Sequence, residues 1–190
     1  MTEPFLVGDL VYLRPLRYED LDGNYVHWLN DPEVCRYNRH HVLPYTREQG
    51  EEYIRHARST KDELILAIVV KETEQHIGNI ALTNIDRYNQ RAEYTVLIGE
   101  PATGKKGYAK EAAVLLFRHG FFDLNLRRIY GAALEDHTMA NIAAPLLGMK
   151  QEGILREAIF CNGKFNNLIY YGILKDEFIE RYEKITTPIA

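Results

Sequence analysis

The chain has 190 residues, 46% of them hydrophobic, and its 23 basic and 27 acidic residues give a formal net charge of −4. This composition can fill the core of one domain, so we expect a single domain over residues 1–190 with its core at about 8–180. The basic residues are scattered and the aromatic residues form no stacking array, which argues against nucleic-acid binding.

Cys35 and Cys161 are far apart and follow no metal-ligand spacing. We expect each to be a buried free thiol, expect no metal site, and place the protein in a reducing cytoplasm. The N-terminus has no basic segment followed by an apolar run, so no signal peptide is predicted. No apolar run approaches the roughly 20 residues that a membrane helix needs, so no membrane association is expected.

Helix signals divide the first half of the chain. A helical pattern that starts at Tyr18 is predicted to end near Asn30, because Pro32 disfavours helix in the residue before it. Thr46 and Gln49 have the spacing of a capping box and open a second helix. The elements predicted here are strand 10–16, helices 18–30 and 46–58, and strands 64–71, 76–83 and 91–98.

The second half alternates helices and strands without an obvious linker. Asn162-Gly163 is a strong signal for a tight turn between the last two strands. Pro145 lies inside a helical pattern, where it predicts a kink or an early end. The elements predicted here are helix 109–122, strand 127–134, helix 138–147, strands 150–161 and 165–174, and helix 175–182. This order favours a mixed sheet with helices on both faces.

A glycine- and lysine-rich loop joins strand 91–98 to helix 109–122. Glycine allows close approach of the backbone to a ligand, and the N–H groups at a helix start can bind an anion. Lys105 and Lys106 can meet phosphate as point charges. The loop therefore favours phosphate binding, although the loop alone leaves an ordinary strand-to-helix turn open.

Four segments of the chain, taken together in their order and spacing, form a pattern that is more specific than any one segment alone. They are Leu13–Leu16 with Glu19–Leu21; Arg91–Tyr94 leading to Ile98-Gly99; Gly104–Ala109; and Leu147–Gly153 with Asn162–Lys164 and Tyr171–Leu174. Over roughly residues 8–180 the chain resembles the GNAT superfamily of N-acetyltransferases, in the branch of ribosomal-protein N-terminal, spermidine and amino-sugar acetyltransferases. The resemblance implies an α/β (α+β) GNAT fold whose mixed, mostly antiparallel sheet has about six to seven strands and helices on both faces. It also implies that two parallel strands, expected at 94–98 and 128–134, splay apart.

The resemblance further implies acetyl-CoA as the co-substrate. Its pantetheine arm would lie between the splayed strands, and its pyrophosphate would sit on the amides of residues 104–109. A backbone N–H near Ile98 would meet the acetyl carbonyl. The cofactor-binding residues expected on this basis are Leu97, Ile98, Gly99, Gly104, Lys105, Lys106, Gly107, Tyr108, Ala109 and His137.

Glu93 is the leading candidate for the catalytic base, because relatives carry a carboxylate at this position facing the acceptor pocket. A surface glutamate or an ion pair with Arg91 is the alternative. Tyr94 should point to the opposite face and into the core if the strand is regular. Asp86 and His76, like the His40-His41 pair, are weaker candidates for chemistry.

Two positions depart from the family pattern. Many relatives have a tyrosine four residues before the glycine at Gly148 and an asparagine eleven residues before it, where this chain has Ala144 and His137. His137 is the second candidate catalytic residue: it could bond to the co-substrate or protonate the thiolate, or it could simply lead into the helix. A CoA-binding domain without turnover stays open because of Ala144 and Pro145.

The acceptor is expected to be a small amine such as an amino sugar, or a protein N-terminus. Relatives place the acceptor pocket at residues equivalent to 30–60 and 155–170, and they are monomers or homodimers. The segment Trp28–Val34 is similar to amino-sugar acetyltransferases, whereas spermidine is less favoured because no acidic cluster can be assembled. The side chains considered for the pocket are Trp28, Tyr37, Tyr45, Tyr53, Arg156, Glu157, Asn162 and Asn166.

Overall fold

The computed structural model describes residues 3–38, 40–100 and 107–183. Within these ranges the chain forms one eight-stranded sheet in the order β1-β2-β3-β4-β5-β6-β8-β7. The strands are β1 Leu6–Val7, β2 Val11–Pro15, β3 Leu64–Val70, β4 His76–Asp86, β5 Arg91–Ile98, β6 Arg128–Leu134, β7 Lys150–Cys161 and β8 Lys164–Leu174. The helices are α1 Tyr25–Asn30, α2 Arg47–Ser59, α3 Tyr108–Phe122, α4 Thr138–Leu146 and α5 Lys175–Phe178.

The predicted fold class is confirmed. Neighbouring strands are antiparallel except β5 and β6, which run parallel. The strand that the sequence pattern did not indicate is β1, whose two residues pair with β2 and are too few to show alternation.

The predicted first helix is divided in the structure. A 3₁₀ turn covers Tyr18–Asp22 and ends at Gly23, whose N–H donates to the carbonyl of Asp20, and α1 starts only at Tyr25. Glycine is unfavourable inside a helix, which explains the break. The capping box of Thr46 and Gln49 at the start of α2 is confirmed.

The predictions for the later elements are confirmed in part. Helix α4 continues through Pro145 to Leu146, so the early end predicted at the proline is wrong. The helix ends instead in a Schellman motif: Gly148 has a φ of 86°, and the N–H of Met149 donates to the carbonyl of Ala144 at 3.0 Å. Asn162 and Gly163 have φ values of 54° and 75°, as a type I′ turn requires. The last predicted helix is shorter: after α5 the chain continues as a π-helical turn, Ile179–Glu183.

Helices cover both faces of the sheet, and each face has its own hydrophobic cluster. On one face α3, α4 and α5 pack around buried side chains that include Phe117, Phe121 and Phe178. On the other face, α1 and α2 pack around Tyr25, Trp28, Leu29 and Ile54.

The prediction about the two cysteines can be checked. Cys35 and Cys161 are both buried free thiols, as expected. In the described parts of the chain, no helix combines the length and hydropathy that crossing a bilayer requires.

Candidate active site

The parallel strands β5 and β6 separate soon after they meet. Their ladder consists of three pairs, Arg91 with Arg128, Ala92 with Ile129 and Glu93 with Tyr130. Beyond this point β5 continues to pair with β4 as far as Ile98, and β6 continues to pair with β8 as far as Leu134. The two strands therefore enclose a wedge-shaped gap that opens towards their C-terminal ends, at the predicted location.

The register with β4 fixes which backbone groups of β5 face this gap. The N–H of Gly99 donates to the carbonyl of Ile77 at 2.9 Å. Because hydrogen-bonded pairs alternate along an antiparallel ladder, Leu97 also directs its backbone groups to β4. Val96 and Ile98 consequently direct their N–H and C=O groups into the gap.

This geometry can be compared with the backbone groups that were predicted to bond to the co-substrate. Ile98 faces the gap as expected, whereas the N–H groups of Leu97 and Gly99 are directed to β4. Val96 also faces the gap but was not among the predicted residues, since strand alternation in the sequence gives side-chain faces but does not give the register that orients the N–H groups.

Gly99 is required by the tight packing at the end of β5. A Cβ atom built on Gly99 would lie 1.9 Å from Cδ2 of Trp28, so a larger residue would displace the indole. The indole N–H of Trp28 donates to Glu100 at 3.1 Å. This contact fixes the direction in which the chain leaves β5.

Helix α3 is the next described element after β5, and its first turn follows a glycine cap. Gly107 is the N-cap residue with φ 82°, a left-handed conformation that favours glycine. Tyr108 and Ala109 then lie in the first turn of the helix. The predicted residues Gly104, Lys105 and Lys106 lie outside the described part of the chain.

Glu111 holds this helix start in place and was not identified from the sequence. Its carboxylate accepts the backbone N–H groups of Asp9, Leu10 and Val11, each at 2.8 Å. A carboxylate that accepts several backbone donors forms strong charge-assisted bonds. The turn between β1 and β2 is thereby tied to the first turns of α3.

Glu93 lies at the apex of the gap. Its neighbours Ala92 and Tyr94 pack in the cluster of the α3 face, so Glu93 points to the α1–α2 face, as predicted. One carboxylate oxygen accepts a hydrogen bond from the Asn84 amide at 3.0 Å. Arg91 pairs with Asp86 at 3.5 Å, so the described contacts of Glu93 do not include the ion pair with Arg91 that was the alternative to its role as base.

His137 caps α4 just beyond the end of β6. Its Nδ1 accepts the N–H of Ala140 at 3.4 Å, so in the neutral ring the proton resides on Nε2. Burial lowers the pKa of His137, which favours the neutral form. The ring also stacks on Tyr37, with centroids 4.0 Å apart and planes 13° from parallel.

Comparison with known proteins decides the family. A family model described as an acetyltransferase (GNAT) domain matches residues 11–150. The uncharacterized N-acetyltransferase p20 of Bacillus licheniformis is 32% identical over 177 residues, covering 91% of this chain and 97% of the relative. This chain belongs to the GNAT family of N-acetyltransferases.

Other GNAT proteins of known activity or structure are also similar. The spermidine N(1)-acetyltransferase of Escherichia coli strain K12 is 30% identical over 174 residues, covering 91% of this chain and 90% of that enzyme. The crystal structure of spermidine N-acetyltransferase from Vibrio cholerae in complex with CoA and spermine has a TM-score of 0.79. Its 23% identity, over 90% of this chain and 98% of the other, shows the shared fold.

The structure gives the surroundings of several side chains that the sequence analysis considered for the acceptor pocket. Trp28, Tyr45 and Tyr53 pack in the cluster of the α1–α2 face. Asn166 is buried and donates to two carbonyls inside the β7–β8 hairpin, which gives it a structural role. Arg156, together with Glu157, lines an open cavity of about 820 Å³ along β7.

Two of the weaker candidates, His76 and Asp86, also have structural partners. His76 is partly buried, which lowers its pKa, and its Nε2 lies 2.9 Å from both the Gly78 carbonyl and the Asn79 side chain. Asp86 accepts hydrogen bonds from Asn89 at 2.8 and 2.6 Å. Among the described residues, no group of three or more His, Cys, Asp or Glu side chains is arranged to hold a metal ion.

Proposed function

We propose that this GNAT protein transfers the acetyl group of acetyl-CoA to a primary amine by direct attack in a ternary complex. The observation that carries the proposal is the end of the β5–β6 ladder at Glu93 and Tyr130. It places unpaired backbone groups inside the gap and a carboxylate at its apex on the face opposite α3.

The described residues fit a CoA thioester. Backbone groups of Val96 and Ile98 would bond to the extended arm, and the first-turn N–H groups of Tyr108 and Ala109 would bind the pyrophosphate. Acetyl-CoA supplies the activated acetyl group and a thiolate leaving group. The protein's contribution is to hold this group in the gap and to exclude water from it.

Distance along β5 selects the N–H that would receive the thioester oxygen. At about 3.3 Å per residue, Val96 is roughly 10 Å from Glu93 and Ile98 roughly 16 Å. The amine must lie between its base and the thioester, so Val96 is the better placed donor for the oxygen as it gains negative charge. Ile98 would then hold the pantetheine arm further out.

Glu93 would remove the proton from the acceptor amine. At these distances it would act through an intervening water molecule rather than by direct contact. The hydrogen bond from Asn84 fixes the orientation of the carboxylate.

His137 would hold the co-substrate rather than protonate the thiolate. Its neutral ring donates only from Nε2, in the way that the amide of an asparagine would donate. It also lies beyond the end of β6, at the open end of the gap and away from the apex. A hydrogen bond from Nε2 to the arm of the co-substrate fits both observations.

The acceptor is proposed to be a small amine, such as an amino sugar, or a protein N-terminus. The similarity to the Escherichia coli spermidine acetyltransferase favours a polyamine as a second candidate. The three classes differ in chemistry: a sugar nucleotide brings phosphate, a peptide brings backbone amides, and a polyamine brings two or more positive charges.

The test is release of free CoA thiol from acetyl-CoA in the presence of amino-sugar nucleotides, N-terminal peptides, polyamines and aminoglycosides. Turnover with one class identifies the acceptor chemistry. Glu93→Gln should lower kcat by roughly 10²- to 10⁴-fold and leave CoA affinity in calorimetry unchanged. Glu72→Gln, at an exposed position in the β3–β4 turn, is the matched control.

Two results would contradict the proposal. Tight CoA binding without turnover on any acceptor would support a CoA-binding domain that lacks activity. Full activity of Glu93→Gln across the pH range would remove Glu93 from the role of base.

A further inference from the structure

Residues 35–38, which we call the strap, are anchored first to the β5 side of the gap. The Cys35 thiol donates to the carbonyl of Trp28 at 3.2 Å, and the N–H of Cys35 donates to the carbonyl of Asp31 at 2.9 Å. Trp28 itself packs on Gly99 at the end of β5. The first end of the strap is thus fixed to the strand that offers its backbone to the gap.

The same strap is anchored to the β6 side by the β7–β8 turn. The Asn162 amide donates to the carbonyl of Arg36 at 2.9 Å. The Cys161 thiol lies 3.5 Å from the same carbonyl and 3.7 Å from that of Asn38. The strap therefore connects the two halves of the sheet on the side where β5 and β6 have separated.

The ring of Tyr37 makes the contact that reaches the candidate site. It stacks on His137 with centroids 4.0 Å apart. The cap bond from Ala140 to His137 is 3.4 Å long, near the limit for an N–H···N bond, so it orients the imidazole only weakly. The stack restrains the ring plane, which the cap bond leaves loosely defined.

We propose that Tyr37 is a positioning residue for His137, and that the strap sets the direction in which His137 donates its Nε2 proton. This inference rests on the proposed function, because it assigns His137 to the arm of acetyl-CoA. Under this inference Tyr37, which lies on the side of the domain proposed for the acceptor, contributes indirectly to binding of the co-substrate.

The charged surroundings of His137 are simple enough for a titration to report on the stack. Burial is the cause of its lowered pKa. The neighbouring Asp136 pairs with Lys164 at 2.5 Å, and Arg36 lies over the Tyr37 ring at 5.8 Å. Removing the Tyr37 ring should expose the imidazole and raise its pKa towards the ordinary value of about 6.5.

The experiment compares Tyr37→Ala with Tyr37→Phe. In the alanine variant we expect the Kd for CoA to rise roughly 3- to 10-fold, the loss expected for one stacked ring pair, and the NMR titration of His137 to move upward. The phenylalanine variant retains the stack and should keep both values. Tyr88→Ala is the control, because Tyr88 is 95% exposed.

A second variant tests the strap without touching either ring. Asn162→Gly keeps the positive φ of the turn but removes the hydrogen bond to Arg36. It should shift CoA affinity and the His137 titration in the same direction as Tyr37→Ala, by a smaller amount. This variant decides the matter if Tyr37→Ala fails to fold.

Unchanged CoA affinity and unchanged His137 titration in Tyr37→Ala, or in Asn162→Gly if the former does not fold, would overturn the inference. Both readouts are made without an acceptor. They therefore remain valid if every amine proves inactive, and failure of the proposed transfer is distinguishable from failure of this inference.

Discussion

The two halves of the sheet differ in how they are covered. In the half formed by β1–β5, strand β3 is buried along almost its whole length between the two hydrophobic clusters. In the half formed by β6, β8 and β7, nearly every residue of β7 is exposed. The halves are joined at the three β5–β6 pairs and again by the strap.

This difference assigns different roles to the two halves. A strand buried on both faces cannot move without disturbing the core. Strand β5 is tied to this buried half by its ladder with β4, which extends to Ile98, so β5 offers a fixed backbone to a ligand. In the exposed half, a substitution at a surface residue should remove fewer packing contacts and therefore cost less stability. We expect substitutions in the first half to alter stability and those in the second to alter affinity or specificity.

The largest expected effect comes from the core beneath β5. Phe117 is fully buried and contacts Tyr94 edge to face at 4.9 Å. Phe117→Ala should reduce the free energy of unfolding by about 3–5 kcal/mol. Phe165→Ala, on the 63% exposed phenylalanine of the β7–β8 hairpin, should change it by less than about 1 kcal/mol. Similar losses in both variants, measured by urea denaturation, would contradict the comparison.

The next effect comes from the buried ion pair of the first half. Arg14 and Asp20 form two hydrogen bonds, at 2.8 and 2.6 Å, and both side chains are 6% exposed. Asp20→Asn leaves the Arg14 charge uncompensated and should cost about 3 kcal/mol at pH 7.

The same pair predicts a pH dependence. Burial opposes ionisation of Asp20, but the Arg14 hydrogen bond, the His76 charge and the Arg17 backbone lower its pKa overall. A lowered pKa contributes stability that is present above the unfolded value of about 3.9 and is lost as pH falls through the folded value. The stability difference between wild type and Asp20→Asn should therefore narrow below about pH 4. A difference that is constant from pH 7 to pH 3 would refute this assignment.

The smallest effect is expected at an ion pair of the second half. Arg128 and Glu152 form two hydrogen bonds, but the two side chains are 30% and 38% exposed. Solvent screens such a pair, so Glu152→Gln should change stability by about 0–1 kcal/mol, and 1 M salt should remove the difference. If Glu152→Gln reduced the free energy of unfolding as much as Asp20→Asn, the proposed difference between the two halves would be wrong.

The sequence predicted local features well because their causes are local. The capping box of Thr46 and Gln49 and the Asn162-Gly163 turn both depend on neighbouring residues. The period of two in β5 placed Glu93 and Tyr94 on opposite faces correctly.

Features that depend on register or on distant contacts could not be predicted. Val96 faces the gap because of the pairing between β4 and β5, which no residue of β5 reveals alone. Tyr37 and His137 are 100 positions apart, and their stack depends on how α1 and α4 are placed by the whole fold. The same holds for Glu111, which binds the β1–β2 turn across a similar separation.

The most direct test of the central claim is amide hydrogen exchange in β5 with and without CoA. The Gly99 and Leu97 N–H groups should be protected in both states, because they belong to the β4 ladder. The Val96 and Ile98 N–H groups should exchange rapidly in the free protein and at least about 10-fold more slowly with CoA bound. Protection gained at Leu97 and Gly99 instead, or no change at Val96 and Ile98, would show that CoA does not bind in this gap.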